Sequence, residues 1–176
     1  MMNKPPGFLT TLSDPYGRPT IKDLLKDIDT RVYPVGRLDR NSQGLLLLTD
    51  DGELSYRLLH PRFKVPKTYI VTVSGHPPKS LIKKLEQGVE IGPGQVTQPC
   101  TVEQIGRRKR QTIFRIVLSE GRKRQIRYMF RAIGYKVEKL IRIKMGPISL
   151  GDLESGKVRL LTSNEIKALK SATGLI

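Results

Sequence analysis

The sequence predicts an α+β fold with a mostly antiparallel sheet, and three observations carry that prediction. Apolar runs too short for helices interleave irregularly with amphipathic stretches. Several of the links between them look like hairpins, whereas a doubly wound parallel sheet needs regular strand–helix alternation. Finally, 38% apolar residues over 176 positions is enough for a real core, so wholesale disorder is excluded. No internal repeat or low-complexity linker interrupts the chain.

Met1 to Gly7 reads as the end of a strand running into a turn, and Phe8 to Thr11 as a short strand. Asp14-Pro15-Tyr16-Gly17 is a strong turn signal. Thr20 to Leu25 forms a short helix with Ile21, Leu24 and Leu25 on one face. Val32 to Val35 and Leu45 to Leu48 are buried strands, and the glycine-flanked polar segment Gly36 to Gly44 between them is a loop held by core strands, the usual place for chemistry. A turn at Asp50 to Glu53 opens a helix reaching about Leu59. Lys67 to Ser74 alternates as a half-buried strand, and Ser80 to Gln87 is an amphipathic helix. Thr101 to Ile105 and Thr112 to Leu118 are strands joined by the basic turn Arg107-Arg108-Lys109-Arg110. In the helix Arg122 to Ile133, Ile126, Met129, Phe130 and Ile133 recur at i, i+3, i+4 and i+7 as a core stripe. Val137 to Ile143 and Val158 to Leu161 are late strands, and Thr162 to Glu165 is a capping box opening a terminal helix.

Charge points to the partner. There are 32 Lys and Arg against 16 acids, a net +16. Such an excess costs self-repulsion and is usually retained because a polyanion is bound, although a solubilising surface would look similar. The excess is concentrated between Arg107 and Lys144, where 14 cations face only Glu120 and Glu138. On the helix from Arg122, Arg124, Arg127 and Arg131 recur at i, i+3 and i+7, so a basic ridge would lie beside the apolar stripe and could follow a phosphate track. Cys100 is the sole cysteine, which forbids an internal disulfide, fits a reducing compartment and reads as a small buried residue rather than a reactive thiol. No stretch approaches the roughly 18 apolar residues of a membrane span, and Pro5 and Pro6 interrupt the start before a signal-peptide core. The cytoplasm is the expected location.

In the loop Val35 to Gly44, Asp39 stands between Arg37 and Arg40. Nearby guanidiniums favour an ionised carboxylate, and a well-held carboxylate can act as a nucleophile; a turn or salt-bridge role would use the same residue type. Gly36-Arg37-Leu38-Asp39-Arg40 followed by Gly44 to Gly52 resembles the signature of bacterial ribosomal pseudouridine synthases of the RsuA-like branch. Asn3-Lys4-Pro5-Pro6-Gly7 with Asp14 to Thr20 resembles the family's opening, Lys67-Thr68-Tyr69 its second motif, and Glu120 to Phe130 its third; Leu140-Ile141-Arg142 and Gly146-Pro147 continue the match, which spans about residues 3 to 165.

The resemblance implies a single catalytic domain over 1–176, with approximate lobes 1–64 and 65–176. Its fold would be a mixed, mostly antiparallel sheet in two halves, flanked by helices, with a central cleft. It also implies roles. Asp39 would be the essential aspartate, Tyr69 would lie against the uracil as general base for the late proton removal, and Arg127 would form the salt bridge that holds Asp39. Ile126 would pack at the base, and Arg37, Arg40, Lys67, Arg122, Arg124, Gln125, Arg131 and Arg142 would contact the RNA. Members commonly have a second Arg where Tyr128 stands, which bears on a phosphate contact. The small S4-like RNA-binding domain that precedes many members is absent from this sequence. The implied partner is RNA, with ribosomal RNA or a pre-ribosomal particle favoured, acted on by a monomer.

Converting uridine to pseudouridine breaks the C1′–N1 bond and joins C1′ to C5, with no redox change, hydrolysis or external group, so neither a cofactor nor a metal is expected. A carboxylate could attack C1′ or abstract a sugar proton; both routes stay open. A phenol beside the ring can accept the C5 proton, and extruding the uridine costs a few kcal/mol, offset by stacking and phosphate contacts. Asp50, Asp51 and Glu53 read as a turn with an acidic helix start rather than a metal site. Gly92-Pro93-Gly94 lacks the ending a phosphate loop needs. His60 and His76 share no ligand spacing. Two rivals remain in view: a non-catalytic RNA-binding or ribosome-assembly factor on the same fold, and a metal-dependent hydrolase using Asp39 with Asp50 or Asp51.

Overall fold

Alternation of apolar and polar side chains decides most of the architecture. A computed structural model describes residues 1–26 and 28–176, which divide into two compact units, Met1–Val65 with Arg142–Ile176 and Pro66–Ile141. The chain therefore leaves the first unit and returns to it, whereas the expected second lobe ran on to residue 176. The fold is α+β with mostly antiparallel pairing, as the sequence predicts.

In the first unit, β1 (Met2–Lys4) pairs antiparallel with β3 (Gln43–Leu46), Met2 opposite Leu46 and Lys4 opposite Gly44. Between them in sequence, β2 (Tyr33–Pro34) pairs with β4 (Leu48–Thr49) as a two-stranded ribbon. Because successive strand residues point to opposite faces, Leu45 joins one apolar cluster with Val35, Leu47, Leu54 and Leu58, while Leu46 joins another with Met2, Ile21 and Leu38. That double burial explains an apolar run with no polar alternation. The Thr20 segment is a 3-10 helix, Ile21–Leu24, and Phe8 to Thr11 makes only an isolated parallel bridge from Leu9 to Thr20 instead of a strand. Helix α1 (Gly52–Leu59) starts where Asp51 accepts a hydrogen bond from Leu54 N at 2.9 Å.

The second unit is built on β5 (Lys67–Ser74), whose residues alternate between buried and half-buried. After α2 (Lys79–Gln87), β6 (Thr101–Arg108) and β7 (Gln111–Leu118) form a hairpin, and β7 pairs with β5 over its whole length, from Lys67 opposite Leu118 to Ser74 opposite Gln111. The basic turn is therefore two residues long, Lys109-Arg110, with Arg107 and Arg108 inside the strand. Helix α3 (Gln125–Ala132) begins three residues later than its periodicity suggests, since Arg124 takes a left-handed conformation at φ 53°. It buries Ile126, Met129 and Phe130 against Val71, Phe114 and Ile116. Cys100 is partly buried here, its thiol pushed up to about 11 chiefly by that burial, in keeping with an inert residue.

Strand β8 (Val137–Met145) begins beside β5, and from Arg142 onward belongs to the first unit beside β3. It turns into β9 (Ile148–Ser149), which the sequence reading did not anticipate, and Val158 to Leu161 supplies a single bridge to Met2 rather than a strand. The Thr162–Glu165 capping box forms as predicted and opens α4 (Ser163–Ala172). Among the described residues no helix is long and apolar enough to cross a membrane.

Gly44 closes the Asp39 loop at φ 105°, and a Cβ there would meet the Arg142 carbonyl oxygen at 2.2 Å and its amide nitrogen at 2.8 Å. Backbone cannot yield as a flexible side chain can, so Gly44→Ala should cost roughly 3–5 kcal/mol by strain and overpacking together. Urea unfolding of the variant checks this, and a midpoint equal to wild type would contradict it.

Candidate active site

Asp39 is half-buried in a loop whose backbone is held from outside itself. The Lys4 side chain is fully buried, and its Nζ donates to Pro5 O at 2.9 Å, Ser42 O at 3.0 Å, Arg40 O at 3.3 Å and Asp39 O at 3.4 Å. Ser42 N adds a turn bond to Asp39 O at 2.9 Å. Thr10 brackets the residue before: its Oγ1 donates to Leu38 O at 2.7 Å and accepts from Leu38 N at 3.2 Å. Gly7 N donates to Arg40 O at 2.7 Å, and Arg40 Nε returns a bond to Gly7 O at 3.1 Å. The segment from Lys4 to Thr10 is thus a cradle for residues 38–42. Neither Lys4 nor Thr10 was singled out as a site residue from the sequence. The available signal was Lys4 two residues after Met2 on a strand, which puts both on one face.

Burial holds Lys4 at about 8, down from its ordinary 10.5, while the nearby Asp39 carboxylate opposes the fall. Arg37 and Arg40 are exposed on either side of Asp39, as expected. Arg142 is 3% exposed, and its Nε donates to Leu45 O at 2.8 Å, bracing β3.

In the second unit Tyr69 sits on the buried face of β5 opposite Ile116, 9% exposed, in the same apolar cluster as Ile126. Lys67 lies on that same face and is buried, as is Gln125. Gln125 belongs to a polar knot. The Glu120 carboxylate, 7% exposed, accepts from Gln98 N at 2.8 Å, Gln125 Nε2 at 2.6 Å and Arg122 Nε at 3.0 Å, and Arg122 N donates to Gln125 Oε1 at 3.0 Å. That knot fixes the turn delivering Arg124 in its left-handed conformation.

The basic ridge of α3 also differs from its sequence pattern. Arg127 is half-buried and its Nη1 donates to Val137 O at 3.1 Å. The exposed ridge runs through Arg124 and Arg131, whose guanidiniums lie 6.0 and 4.7 Å from the centre of the Tyr128 ring between them. Tyr128 thereby orders two cations on a helix face that lacks acids. Asp51 is committed to capping α1, which removes it from a hydrolytic pair with Asp39.

Comparison with known proteins agrees with the motifs. The family model for RNA pseudouridylate synthase matches residues 1–132. An uncharacterized RNA pseudouridine synthase of Aquifex aeolicus is 44% identical, the alignment covering 99% of this chain and 70% of the relative. The ribosomal large subunit pseudouridine synthase B of Bacillus subtilis is 40% identical over 97% of this chain and 70% of its own length. Among solved structures, a pseudouridylate synthase superposes with a TM-score of 0.86 at 33% identity, covering 96% of this chain and 71% of that one.

Lys4 makes a pH prediction. Between about pH 8 and 10.5 the unfolded chain keeps a proton that the folded chain has released, so rising pH stabilises the fold across that window; below pH 8 both states are charged and the burial cost is fully present. Wild-type stability relative to Lys4→Met should therefore climb by roughly 3 kcal/mol from pH 8 to 10.5. Urea titrations of both proteins across that range measure it, and a flat difference would exclude a depressed Lys4.

Proposed function

The chain belongs to the RNA pseudouridylate synthase family, and on that premise we propose that it isomerises a uridine of structured RNA through the Asp39 carboxylate. The observation carrying the assignment to Asp39 is the cradle itself: Lys4, Gly7 and Thr10 fix the backbone of residues 38–42, so that half-buried Asp39 is held in place between exposed Arg37 and Arg40 in the chain. A reaction that begins by displacing N1 from C1′, or by removing a sugar proton, needs one such anion held still.

Tyr69 is the acceptor for the C5 proton after C1′ has been rejoined. Its position on the floor of β5, in one apolar cluster with Ile126, suits a phenol against a pyrimidine face. Arg127, at the position the family motif gives to an essential arginine, is the third catalytic residue of the proposal. Arg37, Arg40, Arg124 and Arg131 are exposed and meet phosphates. Ribosomal RNA is the favoured substrate, free or within a pre-ribosomal particle, since relatives in Bacillus subtilis and Vibrio parahaemolyticus are named as large-subunit synthases. We place the enzyme in the cytoplasm as a monomer.

Tritium release from RNA labelled at uridine C5 tests the reading, because isomerisation alone frees that label without cutting the chain; strand scission abolished by a chelator would instead mark a hydrolase. Asp39→Asn should lose turnover by at least about 10³-fold yet bind RNA with unchanged affinity, and parallel loss of binding would contradict that division. Tyr69→Phe should bind normally and fail at deprotonation; full tritium release by this variant would remove Tyr69 from proton transfer.

A further inference from the structure

The tip of the β6–β7 hairpin carries Arg107, Arg108, Lys109 and Arg110, all exposed, and no residue of the site above. Their side chains make no hydrogen bond or ion pair among the described residues. Glu103 is paired with Arg115 at 2.9 Å and Glu138 accepts from the Gln111 amide. Four adjacent cations without an acid partner are a local concentration of repulsion, which a bound polyanion would relieve.

The tip is also braced. Gly75 N donates to Arg110 O at 2.8 Å, and Thr112 Oγ1 donates to Gly75 O at 2.8 Å. The His76 ring lies 3.0 Å from Thr112 Oγ1 and 3.4 Å from Lys109 O, and Tyr135 holds His76 O at 3.4 Å. Arg108 pairs with Gln111, leaving a two-residue loop, which ordinarily favours Asn-Gly or Gly at positive φ. Lys109 and Arg110 stand there instead, neither with positive φ. Charge has been placed where turn chemistry asks for something else, on a fixed support.

We propose that this hairpin tip is a phosphate clamp for a part of the RNA remote from the target nucleotide. The inference deepens the RNA reading above and rests on it. Along β5, Tyr69 and Ser74 are five residues apart, roughly 17 Å at strand rise, and the tip lies beyond Ser74 and its partner Gln111. A single nucleotide does not reach that far, so the clamp engages flanking structure and sets affinity without touching the chemistry. Exposed edge strands also carry charge merely to prevent pairing with other sheets; that role needs one or two charges on β6 and gives no reason for two more in the turn.

The test replaces all four residues (Arg107→Gln, Arg108→Gln, Lys109→Gln, Arg110→Gln) and, as a control of equal charge, Lys22→Gln, Lys83→Gln, Lys84→Gln and Lys167→Gln, which are exposed elsewhere. Fluorescence anisotropy with a labelled RNA duplex long enough to span the molecule, across a potassium chloride series, gives the slope of log affinity against log salt. The clamp predicts a slope shallower by about 2–3 and affinity at least about 10-fold weaker for the hairpin variant, with the control within one unit of wild type. Single-turnover tritium release from C5-labelled ribosomal RNA, at saturating enzyme, should proceed at the wild-type rate in the hairpin variant. An unchanged slope, or one lowered equally by the control, overturns the clamp and leaves the four cations as guards of the β6 edge. Failure of the wild-type enzyme to release tritium overturns the isomerase reading instead, whatever the slope.

Discussion

One buried ammonium organises the first unit. Lys4 gives up bulk water and receives four carbonyl oxygens, three of them from residues 39, 40 and 42. A buried cation is tolerated when polar partners replace its hydration, and here the replacement is backbone, so satisfying the charge and fixing the loop are the same event. Gly44 is the corollary. The loop must rejoin β3 opposite Lys4 and directly against the backbone of Arg142, and only a residue without Cβ passes there.

The positive charge of the chain divides into two populations with different physics. Lys4 and Arg142 are interior cations that bond to carbonyl oxygens, Pro5, Ser42 and Leu45 among them, and their value lies in where they hold the backbone. Arg37, Arg107 to Arg110, Arg124 and Arg131 are exterior and dominate the long-range field. A net charge of +16 is therefore an imperfect measure of polyanion affinity, because part of it is invested in the framework.

Periodicity recovered β5 residue for residue, α2 to within a residue, the end of α1 and the capping box that opens α4, because each of these depends on neighbours in sequence. It failed where tertiary bonds override it. The helix expected from Arg122 starts at Gln125, since the buried Glu120 carboxylate draws Arg122 and Gln125 into a turn of their own. Arg127 matches the ridge spacing yet turns toward Val137, a partner ten residues away that spacing does not reveal. The loop that carries Asp39 was legible as a glycine-flanked polar segment between apolar runs. Its support by Lys4 and Thr10 was not, because those bonds cross about thirty residues of sequence and depend on which way a three-residue strand faces.

The first unit is discontinuous, and this bears on how the polypeptide is made. Asn3 N donates to Lys157 O at 3.0 Å and Gly156 N to Asn3 O at 2.8 Å, while β3 lies beside the part of β8 that follows Arg142. On a translating ribosome the amino-terminal third emerges long before these partners exist, whereas residues 66–141 contain their own hairpin and helices and can settle as soon as they clear the exit tunnel. Ordering should accordingly run from residues 66–141 outward, with the segment bearing Asp39 settling last.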